Sequence, residues 1–130
     1  MKPVMQTEMG RRGNCFSACL ASLFELGIAD VPNFYDVGGD DADAWWAAVR
    51  DWLRPRGFGV MSLSITPALL TKFEGYFIVC GQSARDLEHA TIWRDGAMVH
   101  DPHPSQQGIV EPTSVDLLYP LSPAGLRAAA

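Results

Sequence analysis

The sequence predicts an α+β domain in which helices come first and a small antiparallel sheet follows. Three observations carry this. Helix-period apolar patterns are confined to the first half, at "CFSACLASLFEL" and "DAWWAAVRDWL". Strand-like runs are confined to the second half, with "GYFIVCG" the most apolar. Between "HATIW" and "AMVH" stands Asp95-Gly96, a strong hairpin signal. Helices followed by strands, rather than alternating with them, give segregated layers.

At 130 residues the chain fits one domain, residues 1–130, with a tail expected to fray from about residue 122. A hydrophobic content of 48% and a charged content of 19% are those of an ordinary globular core and surface. The formal charge of −5 argues against nucleic acid or an anionic membrane as partner, since both need a basic surface. Cys15, Cys19 and Cys80 are too few for a disulfide framework, so free thiols and a cytoplasmic setting are expected. The N-terminus lacks a signal-type apolar core, and no run of eighteen apolar residues offers a membrane span.

Taken in order, residues 1–14 read as an extended lead-in and a loop punctuated by Gly10 and Gly13. Asn14 is the expected N-cap of a first helix whose stripe is Phe16, Cys19, Leu20, Leu23, Phe24 and Leu26, with Gly27 its natural stop. "IADVPNFYDVGGDDADA" is turn-rich. A second helix follows over roughly Asp43–Leu53, acidic at its start and basic at its end, as the helix dipole favours. Trp45 and Trp46 are adjacent and cannot both face the core, so one is expected to line a groove. Next come a short strand at Val60–Ile65 and a turn or short helix at Thr66–Phe73. "GYFIVCG" reads as a central strand covered on both faces. A last, edge strand is expected near Leu117–Leu121.

The chemistry concentrates at few positions. Cys15 falls in the first turn of its helix, where unpaired backbone N–H groups and the dipole favour a thiolate. Cys19, one turn on, falls in the apolar stripe. A thiolate nucleophile needs a histidine to take its proton and a third group to orient that histidine. All three histidines, His89, His100 and His103, lie in or beside the hairpin. A two-residue Asp95-Gly96 loop would put His89 and Asp101 on opposite faces. A three-residue loop, Arg94-Asp95-Gly96, pairs Trp93 with Ala97 and sets His89 directly across from Asp101. The three-residue loop is therefore expected. Gln6, ahead of Cys15, could add a side-chain donor to an oxyanion site.

Gln6, "GNCFSACLASLF" opening a helix, "HATIW" and "DGAMVHDPHP" together resemble the papain-like cysteine peptidases of the C39 type, the bacteriocin-processing domains and their stand-alone relatives. The resemblance covers most of the chain, roughly residues 4–104. It implies a papain-like fold with Cys15 as nucleophile, His89 as general base, Asp101 as orienting acid and Gln6 as oxyanion donor. It also implies that Cys19 faces the core. The segment between Gln6 and Cys15 is longer than is usual in that family. The expected activity is hydrolysis of a peptide, isopeptide or related amide bond in a peptide or protein substrate, with no cofactor and no metal. Deamidation, transamidation and thioester cleavage use the same groups.

Three rivals compete with this reading. His100 and His103 in "HDPHP", with Cys15 or His89, could hold a metal, but the spacing is loose and no paired C-x-x-C accompanies it. Cys15 and Cys19 could form a redox pair, but they stand four apart rather than three. The same fold could also serve, catalytically silent, as a binding or inhibitory module.

Overall fold

The computed structural model describes residues 1–123, so all but the start of the tail expected to fray lies outside the described residues. Helix α1 spans Cys15–Phe24. It ends earlier than Gly27 because Glu25 takes the left-handed conformation (φ 57°), and the amides of Glu25 and Leu26 bond back to Ser22 and Ala21. That arrangement satisfies the last carbonyls and turns half-buried Leu26 onto the core. The turn-rich stretch holds a 3-10 turn at Ile28–Asp30 and a short helix α2, Phe34–Gly38. Helix α3, Ala42–Leu53, is capped by Asp41, whose carboxylate accepts from the Asp43 and Ala44 amides.

Asn14 is not the side-chain cap expected of it. Its Oδ1 instead accepts from the Thr7 and Glu8 amides, both at 2.9 Å, and its Nδ2 donates to Thr7 Oγ1. The side chain is spent closing the 7–14 loop, so the first turn of α1 has no side-chain cap.

Five strands form one antiparallel sheet: β1 Phe58–Ser64, β2 Tyr76–Gln82, β3 Glu88–Arg94, β4 Ala97–His100 and β5 Glu111–Pro120. Their order is β1-β5-β2-β3-β4, which makes β2 the middle strand. The last strand is not the short edge strand expected. It is ten residues long and lies between β1 and β2. Pro112 and Pro120 near its ends masked it, because they read as strand breakers.

The sheet is covered on both faces. On one, Phe58, Val60, Ile78, Ala90, Ile92 and Leu118 pack with Phe16, Cys19 and Leu20 of α1 and Val49 and Leu53 of α3. On the other, Phe77, Val79, Trp93, Val115 and Leu117 pack with Ile65, Leu70 and Phe73. Successive side chains of β2 therefore enter two different cores, which accounts for its unbroken apolar run. Each fully buried Ile, Leu or Phe contributes about 1.5–3 kcal/mol of transfer free energy.

The hairpin differs from expectation in a way that matters for the site. Arg94 pairs with Ala97 across a two-residue turn in which both Asp95 (φ 51°) and Gly96 (φ 86°) are left-handed. Such a turn matches the strands' own twist. Trp93 pairs with Met98, but Ile92 then pairs with His100, so Val99 is a bulge. The extra residue shifts the phase by one and returns His89 and Asp101 to the same face. Continued from Ile92–His100, the count sets Thr91, not His89, across from Asp101.

Candidate active site

Cys15 opens α1 half-buried, against the start of β3. The backbone amides of Ala90, Phe16 and Cys15 itself lie where they favour its thiolate, but burial outweighs them and raises the thiol above its ordinary 9.0. Cys19 is fully buried in the core, and burial pushes its thiol well above 9.0. The two cysteines are both free thiols.

His89 and Asp101 form a buried pair, with Nε2 to Oδ1 at 2.7 Å. Asp101 has no exposed surface and is held from three sides. Its Oδ1 also accepts the His103 amide at 2.9 Å, its Oδ2 accepts the Gly108 amide at 2.7 Å, and its carbonyl accepts from Gln106 Nε2. Burial alone would raise this carboxyl, but the His89 ring and the two amides outweigh it and hold it below 3.8. Burial also lowers the His89 imidazole below 6.5, against the pull of Asp101. Both shifts favour a neutral thiol and a neutral imidazole over an ion pair. With Nε2 committed to Asp101, Nδ1 is the ring nitrogen left for a substrate or thiol proton.

Both residues border one cavity of about 510 Å³, together with Phe16, Trp45, Trp46 and Asp116. His89 is one residue out of phase with Ala90 and Ile92, which face α1, and it meets the cavity at the start of β3. Among the described residues, no hydrogen bond joins Cys15 Sγ to His89 in this resting arrangement. Catalytic hydrogen bonds often close only on substrate binding.

Gln6 is buried and tied to the same corner, its amide donating to the Pro102 carbonyl at 3.0 Å. Its side-chain Nε2 donates to the Glu8 carbonyl at 3.0 Å, and its Oε1 has no partner among the described residues. It does not line the cavity that Cys15 and His89 share. The long Gln6–Cys15 segment explains this. It folds back as a tied loop whose Glu8 carbonyl engages both the Asn14 amide and the Gln6 side chain.

Trp45 and Trp46 are both half-buried and both line the cavity, so the groove takes two tryptophans rather than one. They sit edge-to-face with centroids 4.8 Å apart, and Phe16 packs on them at 5.0 and 5.8 Å. Contacts of this geometry are worth about 0.5–1.5 kcal/mol each beyond area burial, enough to stiffen the wall.

His100 and His103 diverge: His100 Nε2 bonds the Val4 carbonyl at 2.8 Å, while His103 Nδ1 pairs with Ser105 and its ring stands edge-to-face with His89, centroids 6.0 Å apart. Among the described residues no three His, Cys, Asp or Glu side chains converge as metal ligands.

Sequence reasoning missed the amides of Ala90, His103 and Gly108, which no side-chain pattern reveals. It also missed a polar group on the cavity floor, Ser62, Cys80, Ser114 and Asp116. A polar alternation in β5, at Ser114 and Asp116, was its one visible signal.

The chain matches no known family model, no curated protein and no solved structure. No single helix among the described residues is long and apolar enough to cross a membrane.

Proposed function

We propose that this chain is a cysteine-nucleophile hydrolase of papain-like, C39-like type. It would cleave a peptide, isopeptide or related amide bond of a peptide or protein substrate, in a reducing cytoplasm that suits its three thiols. The observation that carries the reading is the juxtaposition of Cys15, at a helix start without a side-chain cap, with a His89 ring held by a buried Asp101 in one cavity.

In this reading the Cys15 proton passes to His89 Nδ1 as the sulfur bonds the acyl carbon. The Cys15 amide receives the oxyanion, and Gln6, which rests on the Glu8 carbonyl outside the shared cavity, would assist only by turning its side-chain amide toward it. Collapse breaks the C–N bond, and His89 returns the proton to the leaving amine. Water, deprotonated by His89, then releases the acid and restores the thiol. Asp101 fixes the ring and its tautomer and supports the transient imidazolium. The neutral resting pair makes His89 a general base during attack rather than half of a standing ion pair.

The test is acyl-enzyme trapping with a panel of peptide, isopeptide and amide substrates, read by intact mass. A thioester on Cys15, absent in Cys15→Ala, is the expected result. Acylation no faster than that of free glutathione at pH 7 would sink the proposal. It would favour the second reading, a silent binding module, for which the missing Cys15–His89 hydrogen bond is the specific observation.

A further inference from the structure

We propose that Asp116, aided by Glu88, makes the cavity select a lysine- or arginine-type cationic side chain on the acyl portion of the substrate. The inference rests on the reading of Cys15 as nucleophile.

Asp116 is 2% exposed, yet its Oδ1 has no partner among the described residues. Its Oδ2 accepts from Cys80 Sγ at 3.3 Å. Burial raises its carboxyl above the ordinary 3.8, against the pull of the Ser62 hydroxyl and the Cys80 thiol, so a bound cation would also supply the charge that the site lacks. Register explains the placement. Asp116 pairs with Ser62 on β1 and Ile78 on β2, while Ser114 pairs with Cys80, so these side chains share the helix-facing side of the sheet. Along that side the residues change from apolar, at Phe58, Val60 and Leu118, to polar, at Ser62, Asp116 and Ser114. The change falls where the sheet leaves the helices and becomes the cavity floor. Asp116 also borders a second cavity, of about 500 Å³, whose lining is mainly apolar.

A carboxylate kept in such a place with one oxygen unsatisfied is costly unless a ligand supplies the missing donor. Charge around it points to a cation. Glu88 and Asp41 also line the cavity. Arg11 is its one guanidinium among the described residues, and it is committed to Asp40 at 2.8 Å. Half-buried Trp45 and Trp46 line the cavity and offer aromatic surface to an ammonium or guanidinium. A neutral side chain would leave Asp116 unpaired, and an acidic one would meet like charge.

The experiment uses dipeptidyl acyloxymethyl ketones carrying lysine or norleucine at the first or second position before the reactive carbon. In labelling, Sγ bonds the methylene carbon, the carboxylate leaves and the thiol proton passes to His89. The lysyl probe should label Cys15 roughly tenfold faster than its norleucyl twin, the discrimination of one well-placed ion pair. Asp116→Asn should bring the two rates together, and exposed Glu88→Gln should narrow the gap in a chain whose fold it does not disturb. Equal rates in the unmodified chain overturn the proposal and leave the nucleophile reading intact. Failure of both probes to label Cys15 overturns the nucleophile reading instead. The pocket is then judged in Cys15→Ala by tryptophan fluorescence, with Nα-acetyl-lysine methylamide and its norleucine analogue as ligands. Tighter binding of the lysine compound supports the cation site, and equal binding rejects it.

Discussion

His89 and Asp101 touch at 2.7 Å because Val99 is a bulge. The two-residue Asp95-Gly96 turn alone would send their side chains to opposite faces of the sheet. One unpaired residue, placed between the turn and Asp101, reverses that outcome. Deleting Val99 should therefore separate the pair and abolish turnover while the two-residue turn persists. Turnover retained at more than a tenth of the starting rate would count against the bulge. Gly96→Ala is the matching control. It forces a left-handed φ on a residue whose Cβ would lie 3.2 Å from Thr71 Cα, at a cost of about 1 kcal/mol with activity unchanged.

The two cysteines should separate cleanly. Cys15→Ala is expected to fold normally and to lose all acyl transfer. Cys19→Ala leaves a small void at a fully buried site and should lower stability by about 1–2 kcal/mol with turnover retained. Denaturant melts and substrate assays on both variants check this.

Asp101→Ala should be the most damaging single change at the site. It strips the His89 ring and the His103 and Gly108 amides of their acceptor, at about 2–4 kcal/mol. Asp101→Asn keeps the shape and should cost less stability, yet lower kcat by about 10²–10⁴-fold through loss of the imidazolium's support. A kcat within threefold of the parent chain would remove Asp101 from the mechanism.

Acid should destabilise the fold in two steps, through His89 and Asp101, while buried Asp116, raised above its ordinary 3.8, opposes them as it takes up a proton first in the folded chain. His89 titrates lower in the folded chain than its ordinary 6.5, so the unfolded chain takes up that proton first, and stability falls as pH drops below 6.5. Asp101 is also held below its ordinary 3.8, so its contribution is complete above that value and is lost as pH falls through the folded pKa. Unfolding midpoints measured from pH 8 to pH 3 should show both steps. Asp101→Asn should remove the lower one. On the alkaline side, burial raises the Cys15 thiol above 9.0, so turnover that uses the neutral pair should hold through neutral pH.

Gln6 is the discriminating residue for the oxyanion site. If its side-chain amide assists there, Gln6→Ala lowers kcat by about 10²-fold with KM little changed. If it only braces the Glu8 carbonyl and the loop, the variant melts earlier and kcat moves by less than about threefold.

By itself the sequence determined what short-range physics controls. Period and run length placed α1, α3 and the middle strand β2, and Asp95-Gly96 announced the hairpin. Helix-period patterns in the first half and strand-like runs in the second set the α+β order, and the first turn of α1 singled out Cys15 from Cys19. His89, Asp101 and Gln6 were legible as residue types in a suggestive order. The tertiary structure decided everything that depends on pairing across distance. A bulge at Val99 costs one residue and leaves no local mark, so the His89–Asp101 contact was expected from the wrong register. The insertion of β5 beside β2 follows from burial of Val115 and Leu117 in the second core, which prolines near its ends concealed. Asn14 looked like a cap because its type suits one, but its Oδ1 is taken by two amides of the tied loop. Asp116 carried no motif at all. Only the sheet's register brings Asp116 to the cavity that Cys15 and His89 also line, where we propose that it selects the substrate.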